Sequence, residues 1–280
     1  MSAITGCFRG EWLRARQSPS IWILGVVLMA LILVLVYGDV VLAISVLSSK
    51  ASAGVSPSDI AAMKAALYPS RFLSSTLAAF SGIGYGNAVA IILGVLVFGA
   101  DYSASTQKMV FTQGPSRWAT LVGKALAVAL ILLIYAIAAI AAGAAASAVL
   151  GAAYGGSSDW PGIGDIIKAG LTAWLLMGLW AAGGAMLVTL FRQTAVAVGI
   201  GIVYSIGIEG LVLSILRKVS SLGDLERGFP GANGSALVDS FGPKAGSAVV
   251  GPDQATVVLI AFLILFVAVA LGVAQRRDVT

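Results

Sequence analysis

Six stretches of this chain are long and almost uncharged: residues 21–47, 72–98, 119–150, 165–190, 195–215 and 255–273. Inside a bilayer there is no water to satisfy backbone N–H and C=O groups, so a spanning segment must make those bonds within itself or close into a barrel. About 20 apolar residues, each rising about 1.5 Å along a helix, cross the roughly 30 Å hydrocarbon core. Six such runs therefore predict an all-α polytopic membrane protein with six transmembrane helices. The first three are longer than a crossing needs, which predicts tilt or extension past the bilayer. Composition agrees: 59% of the 280 residues are hydrophobic and only 10% are charged, against roughly a quarter charged in soluble domains.

Orientation follows from the connectors. With the N-terminus inside, nine Lys and Arg fall on the inner side (Arg9, Arg14, Arg16, Lys108, Arg117, Lys124, Arg192, Arg276, Arg277) and eight on the outer side, spread over longer loops. Positive charge gathers in short cytoplasmic connectors, so the expected arrangement is N-in, C-in. Residues 1–20 then form a cytoplasmic amphipathic helix, and 21–280 a single membrane domain. That domain carries a cytoplasmic loop at 99–118 and a large extracytoplasmic loop at 216–254.

The net charge of +5 belongs to this membrane asymmetry. No basic run has interleaved aromatics, so a nucleic-acid partner is not expected. Cys7 is the single cysteine, which excludes an intramolecular disulfide, and there is no histidine to act as general base or metal ligand. No metal site is expected in this chain. Abundant Ala, Gly and Val with few Lys fit a multi-pass protein of a bacterial plasma membrane.

At 100° per residue, Ile4, Cys7, Phe8, Trp12 and Ala15 share one face of a helix over 4–17, with Arg9 and Arg16 on the other side and Glu11 inside the apolar face. This is the pattern of a helix lying in the interface, its apolar face in contact with membrane lipid. The carboxylate of Glu11 requires a partner, which the sequence does not identify. Ser18 followed by Pro19 predicts the cap and first turn of the next helix. In the 99–118 loop, Ser105 or Thr106 can cap a short helix over Gln107–Phe111, presenting Met109 and Phe111 beside Lys108 and ending near Gly114-Pro115.

The segment from Asp101 to Lys124, "DYSASTQKMVFTQGPSRWATLVGK", resembles the loop of permease subunits of type-2 ATP-binding-cassette exporters. The matching positions are Asp101, Tyr102, Ser105-Thr106, Phe111-Thr112, Pro115, Arg117 and Lys124; Asp101 replaces a more usual glutamate and Ser105 a glycine. "GEWLRARQSPSIW" at 10–22 resembles that family's amphipathic lead-in, with Glu11, Trp12, Arg14, Arg16 and Pro19. The resemblance implies a coupling helix that docks on a separate ATPase subunit. It implies two ATPase copies per complex, a second permease, identical or similar, and export of amphipathic or hydrophobic cargo. Asp101, Arg117 and Lys124 would brace the loop while Met109 and Phe111 form its knob. This chain has no Gly-x-x-x-x-Gly-Lys-Ser/Thr loop to cradle phosphates, so it carries no cofactor of its own; ATP and Mg would be bound by the partner, and this chain is not itself an enzyme.

Asp39 and Glu209 fall inside apolar runs, where an ionisable side chain costs roughly 2.5–3.5 kcal/mol on insertion scales. Both are candidates for the translocation path, or for the relay of a proton-coupled secondary transporter or channel. In the resembling family the path lies between the second and fifth spans, which singles out Tyr85, Asn87, Tyr204 and Glu209. Gly162-Ile-Gly-Asp165 matches a four-residue intramembrane-protease motif, but Asp165 reads more simply as an acid at a helix N-terminus.

Overall fold

The structure, a computed structural model, describes residues 3–49, 56–82, 84–103, 117–156, 159–218, 225–242 and 250–276. Every regular element among them is helical. Helix α1 (Ala3–Gln17) leads to α2 (Pro19–Leu31), which continues through a π-helical stretch (Ile32–Gly38) into α3 (Asp39–Ser49). Then come α4 (Pro57–Ala66), α5 (Phe72–Leu77), α6 (Tyr85–Ser103), α7 (Arg117–Ala153) and α8 (Ile163–Phe191). A second interrupted helix follows: α9 (Thr194–Ile202), a π-helical stretch (Val203–Ile208) and α10 (Glu209–Lys218). Helices α11 (Pro230–Asp239) and α12 (Pro252–Arg276) complete the order.

Among the described residues, five helices are long and apolar enough to cross a membrane: Pro19–Leu47, Trp118–Ala153, Ile163–Phe191, Thr194–Leu216 and Pro252–Gln275. The remaining expected span, 72–98, is not one helix. It is bent by 50° where α5 and a 3-10 turn (Ala78–Phe80) give way to α6, and it counts as a sixth crossing only if the two halves are taken together. Ser81 leaves the helix with extended backbone and Gly82 adopts φ +25, a conformation that side chains with a Cβ rarely take. The run of apolar residues carries no trace of this break because hydropathy reports only what surrounds a segment.

The outward surface of the bundle is greasy: Ile23, Val26, Val34, Leu42, Ile137, Leu211 and Val257 are all strongly exposed. For a soluble protein that would be a liability; here it is the lipid-facing side. Trp22 and Trp118 stand exposed near one end and Trp160 near the other, where interfacial aromatics belong. Lipid gives no hydrophobic drive for helices to meet, so close packing through small residues holds them together. Helices α6 and α8 approach so closely that a Cβ on Gly94 would collide with the Ala181 carbonyl, and one on Gly184 with the Ile91 carbonyl.

Polar side chains add a second tie. Buried Tyr37 donates to the Phe72 carbonyl at 3.4 Å, lies 2.9 Å from Thr76 Oγ1 and accepts from Ser147 Oγ at 3.3 Å. One phenol thus joins the first helix, α5 and α7. In hydrocarbon each of these groups would otherwise lack a partner.

Two connectors hold structure that the sequence reading treated as loop. Helix α4 starts with a reciprocal capping box, Ser58 N–H donating to Ser56 Oγ and Ser56 N–H to Asp59 Oδ2. Helix α11 lies within 216–254, starts at Pro230, and is buried along nearly its whole length. Ser18 does cap α2 in position, with Pro19 next, but its side chain makes no capping hydrogen bond.

Candidate functional site

The two ends of the bundle each bring a carboxylate into apolar surroundings. At the first end lies α1. Its less exposed positions are Ile4, Cys7, Phe8, Glu11, Trp12 and Ala15, one helical face that includes the acid. That face packs on the start of α7. A Cβ on Gly123 would stand 2.8 Å from Cys7 Cβ and 2.9 Å from the Phe8 nitrogen, so glycine is what admits the α1 backbone here. Cys7 Sγ lies 4.0 Å from Thr120 Oγ1. One turn on, Lys124 reaches back: its Nζ is 3.4 Å from Glu11 Oε1 and donates to the Val97 carbonyl of α6 at 3.4 Å. Lys124 is 2% exposed and Glu11 16%. The partner that Glu11 requires is therefore Lys124, 113 residues away in sequence. The pair ties α1, α6 and α7 together on both sides of the 104–116 connector.

Arg14 lies on the exposed side of α1, beside a cavity of about 360 Å³ shared with Glu11, Ser18, Ser20, Val97 and Thr194. The Arg16 carbonyl accepts the Trp22 indole N–H at 2.9 Å, which fixes the corner between α1 and α2. Trp12 packs partly buried against the core. Asp101 and Tyr102 lie in the last turn of α6 and Arg117 begins α7. Thr106, Lys108, Met109 and Phe111, with the expected Gln107–Phe111 helix, lie outside the described residues.

Thr194 sits at this same end, where its side chain meets Gly99. Glu209 is about 22 Å further along, at 1.5 Å per residue, and marks the opposite end. It is 2% exposed. Its Oε1 accepts the Gly231 N–H at 2.5 Å, so the carboxylate caps the first turn of α11. A Cβ on Gly231 would fall 2.7 Å from the Glu209 carboxyl carbon, hence the glycine. The break in the second span meets the same helix: Ser81 Oγ donates to Ser235 Oγ at 3.1 Å, and a Cβ on Gly82 would lie 2.8 Å from that oxygen and 3.7 Å from the Gly231 carbonyl. Asn87 Nδ2 donates to the Gly82 carbonyl at 2.9 Å. Asn233 Nδ2 donates to the carbonyls of Arg227 and Phe229 at 2.8 and 2.7 Å.

Of the positions singled out for a path, Glu209 touches α11 directly, and Asn87 braces the Gly82 carbonyl at the break that faces α11. Tyr204 packs against Trp180, ring centroids 6.2 Å apart. Tyr85 is 44% exposed. Asp39 begins α3 and is exposed. Asp165 occupies the first turn of α8, as an N-terminal acid should. The sequence reading missed Gly231, Asn233 and Ser235. Their signal is present, though: Pro230 followed by small residues is a helix start. It also missed that both intramembrane acids directly follow a π-helical stretch, Ile32–Gly38 before Asp39 and Val203–Ile208 before Glu209. Such inserts rotate everything beyond them and recur at functional positions.

No family model matches this chain, and no curated protein matches it. What its fold defines is a class: an all-helical, multi-pass membrane protein with a partly buried carboxylate, Glu11, at one end and a buried one, Glu209, at the other.

Proposed function

We propose that this chain is the permease half of an ATP-driven exporter in a bacterial plasma membrane, with both termini inside and ATP hydrolysed by a separate ATP-binding-cassette subunit. The observation that carries this reading is the Glu11–Lys124 pair. The resemblance to type-2 permeases rests on two segments, 10–22 and 101–124, far apart in sequence. Each contributes one member of a buried ion pair. That is what a docking loop needs: a rigid frame at the membrane surface through which a partner's movement reaches the spans. Two ATPase copies would act on a permease dimer, drawing the 99–118 loops together on binding ATP and Mg. The mostly apolar interior suits amphipathic or hydrophobic cargo, such as a drug, antibiotic, peptide or lipid.

The test is export in cells or inverted vesicles with Phe111→Asp. Loss of transport with normal membrane insertion supports the docking role; unchanged transport rejects it. A second reading, a proton-coupled secondary transporter or channel using Asp39 and Glu209, draws on buried Glu209 beside a broken span, a setting in which transporters place their sites. Transport that persists without any ATPase, and stops in Glu209→Gln, would favour it.

A further inference from the structure

A groove opens on the side of the bundle. Helices α7 and α12 both pack on α8 but barely meet each other. The space between them, floored by α8 and the end of α6, measures about 390 Å³. Its wall on α7 extends from Leu121 to Leu132, about 16 Å at 1.5 Å per residue. That is the depth of one leaflet of a roughly 30 Å hydrocarbon core. One end lies a turn from Trp118, the exposed interfacial aromatic on the α1 side. Leu126, Trp174 and Val267 line the groove and are exposed, so it faces lipid. Two of its lining side chains carry a donor, and both are spent. Trp174 Nε1 donates to the Ala129 carbonyl at 2.8 Å and Thr189 Oγ1 to the Ala185 carbonyl at 2.7 Å. A Cβ on Gly178, in the floor, would meet no neighbouring atom within 4 Å, whereas one on Gly184 of the same helix would strike the Ile91 carbonyl. Gly184 serves tight packing; Gly178 opens the groove.

We propose that this groove holds one acyl chain of an anionic phospholipid from the leaflet on the α1 side. Size selects the occupant. An α-helix as long as the groove, about 10 Å across, fills roughly 1,200 Å³ and does not fit. An extended hydrocarbon chain, advancing about 1.3 Å per carbon on 1.5 Å bonds, reaches the far end with about a dozen methylenes. Chemistry agrees, because the spent donors leave an apolar lining that suits hydrocarbon and offers nothing to a polar ligand. The register of the flanking helices places the headgroup. Arg117 begins α7 and Arg276 ends α12, four and five residues beyond the groove's Leu121 and Leu271. Cationic residues at that level attract a lipid phosphate. The bound chain covers apolar surface that α7 and α12 leave open and joins both to α8. The proposal rests only on the membrane reading of the fold, and it stands whether or not an ATPase drives the protein.

The test uses the full chain purified in detergent. Native mass spectrometry reads the lipid retained from the membrane. After delipidation, thermal unfolding is followed by tryptophan fluorescence with added dipalmitoyl phosphatidylglycerol, dihexanoyl phosphatidylglycerol or glycerol phosphate. The expected result is about one retained phospholipid per chain and a saturable rise in Tm with the long-chain lipid, roughly 5 °C at a hundredfold excess over Kd. The dihexanoyl lipid has the same headgroup but chains too short to fill the groove, and it should bind at least about a hundredfold more weakly. Glycerol phosphate should have no effect. Gly178→Leu fills the floor and should abolish lipid retention while keeping the lipid-free Tm. Absence of retained lipid, a Tm response independent of chain length, or undiminished binding in Gly178→Leu overturns the proposal, as does a groove that takes an apolar dye but no phospholipid. Should Gly178→Leu fail to fold, retention and chain-length dependence in the unmodified chain decide the matter alone.

Discussion

Glu11 and Glu209 are both carboxylates carried into apolar surroundings, and the chain answers them by different means. Glu11 meets a full opposite charge on Lys124, from another helix. Glu209 meets a backbone N–H at the start of α11, where a helix presents only about half a charge. The first arrangement is balanced and clamps three helices at one end. The second leaves Glu209 Oε2 without a hydrogen-bond partner among the described residues. The contrast separates an end closed by a full ion pair from an end closed by a helix N-terminus.

The largest expected effect comes from unbalancing the balanced end. Lys124→Ala leaves Glu11 buried without its cation and should cost about 3–5 kcal/mol, read as a lowered Tm in nanodiscs. Replacing both members with apolar residues, Glu11→Leu with Lys124→Met, should recover most of that loss, since a largely buried ion pair repays little beyond its own desolvation. If the double variant is no better than the single, the residues do not act as a pair.

Next in size is Gly231→Ala. Its Cβ would run into the Glu209 carboxylate, an overpacking clash of about 1–3 kcal/mol, and it should lower Tm and loosen α11 to hydrogen exchange while leaving α1 protected. Tyr37→Phe should be milder, about 0.5–1.5 kcal/mol for the lost hydrogen bonds. Asp39→Asn should change the stability of the single chain least of all, because Asp39 is exposed and outside both clusters. A large loss of Tm there would break the comparison by adding a third charged centre.

How much of this was legible in the sequence differs between the two ends. Span limits were readable almost to the residue, as 165–190 against Ile163–Phe191 and 195–215 against Thr194–Leu216 show, because run length is a local property. The amphipathic face of α1 was readable for the same reason, down to the misfit of Glu11. Its partner was not, since Lys124 lies a hundred residues away and only packing joins them. The α11 end was least legible. A 50° bend between the helical halves Pro69–Phe80 and Tyr85–Ala100, two π-helical stretches and a buried helix inside a Gly- and Pro-rich connector are features of the folded chain that run length does not report. Hydropathy does not distinguish a buried polar helix from an exposed loop. Glu209 was singled out, but the residues that it and the broken span meet, Gly231 and Ser235, come from a region that composition marked as loop.

The claim that the braced end is a docking frame is tested most directly by co-purification. The tagged chain is extracted gently from native membranes and its stoichiometric partners are identified by mass spectrometry. About one ATP-binding-cassette ATPase per chain is expected, retained by Asp39→Asn and lost in Phe111→Asp. A chain that purifies without any ATPase, or a Phe111→Asp variant that keeps it, would contradict the account.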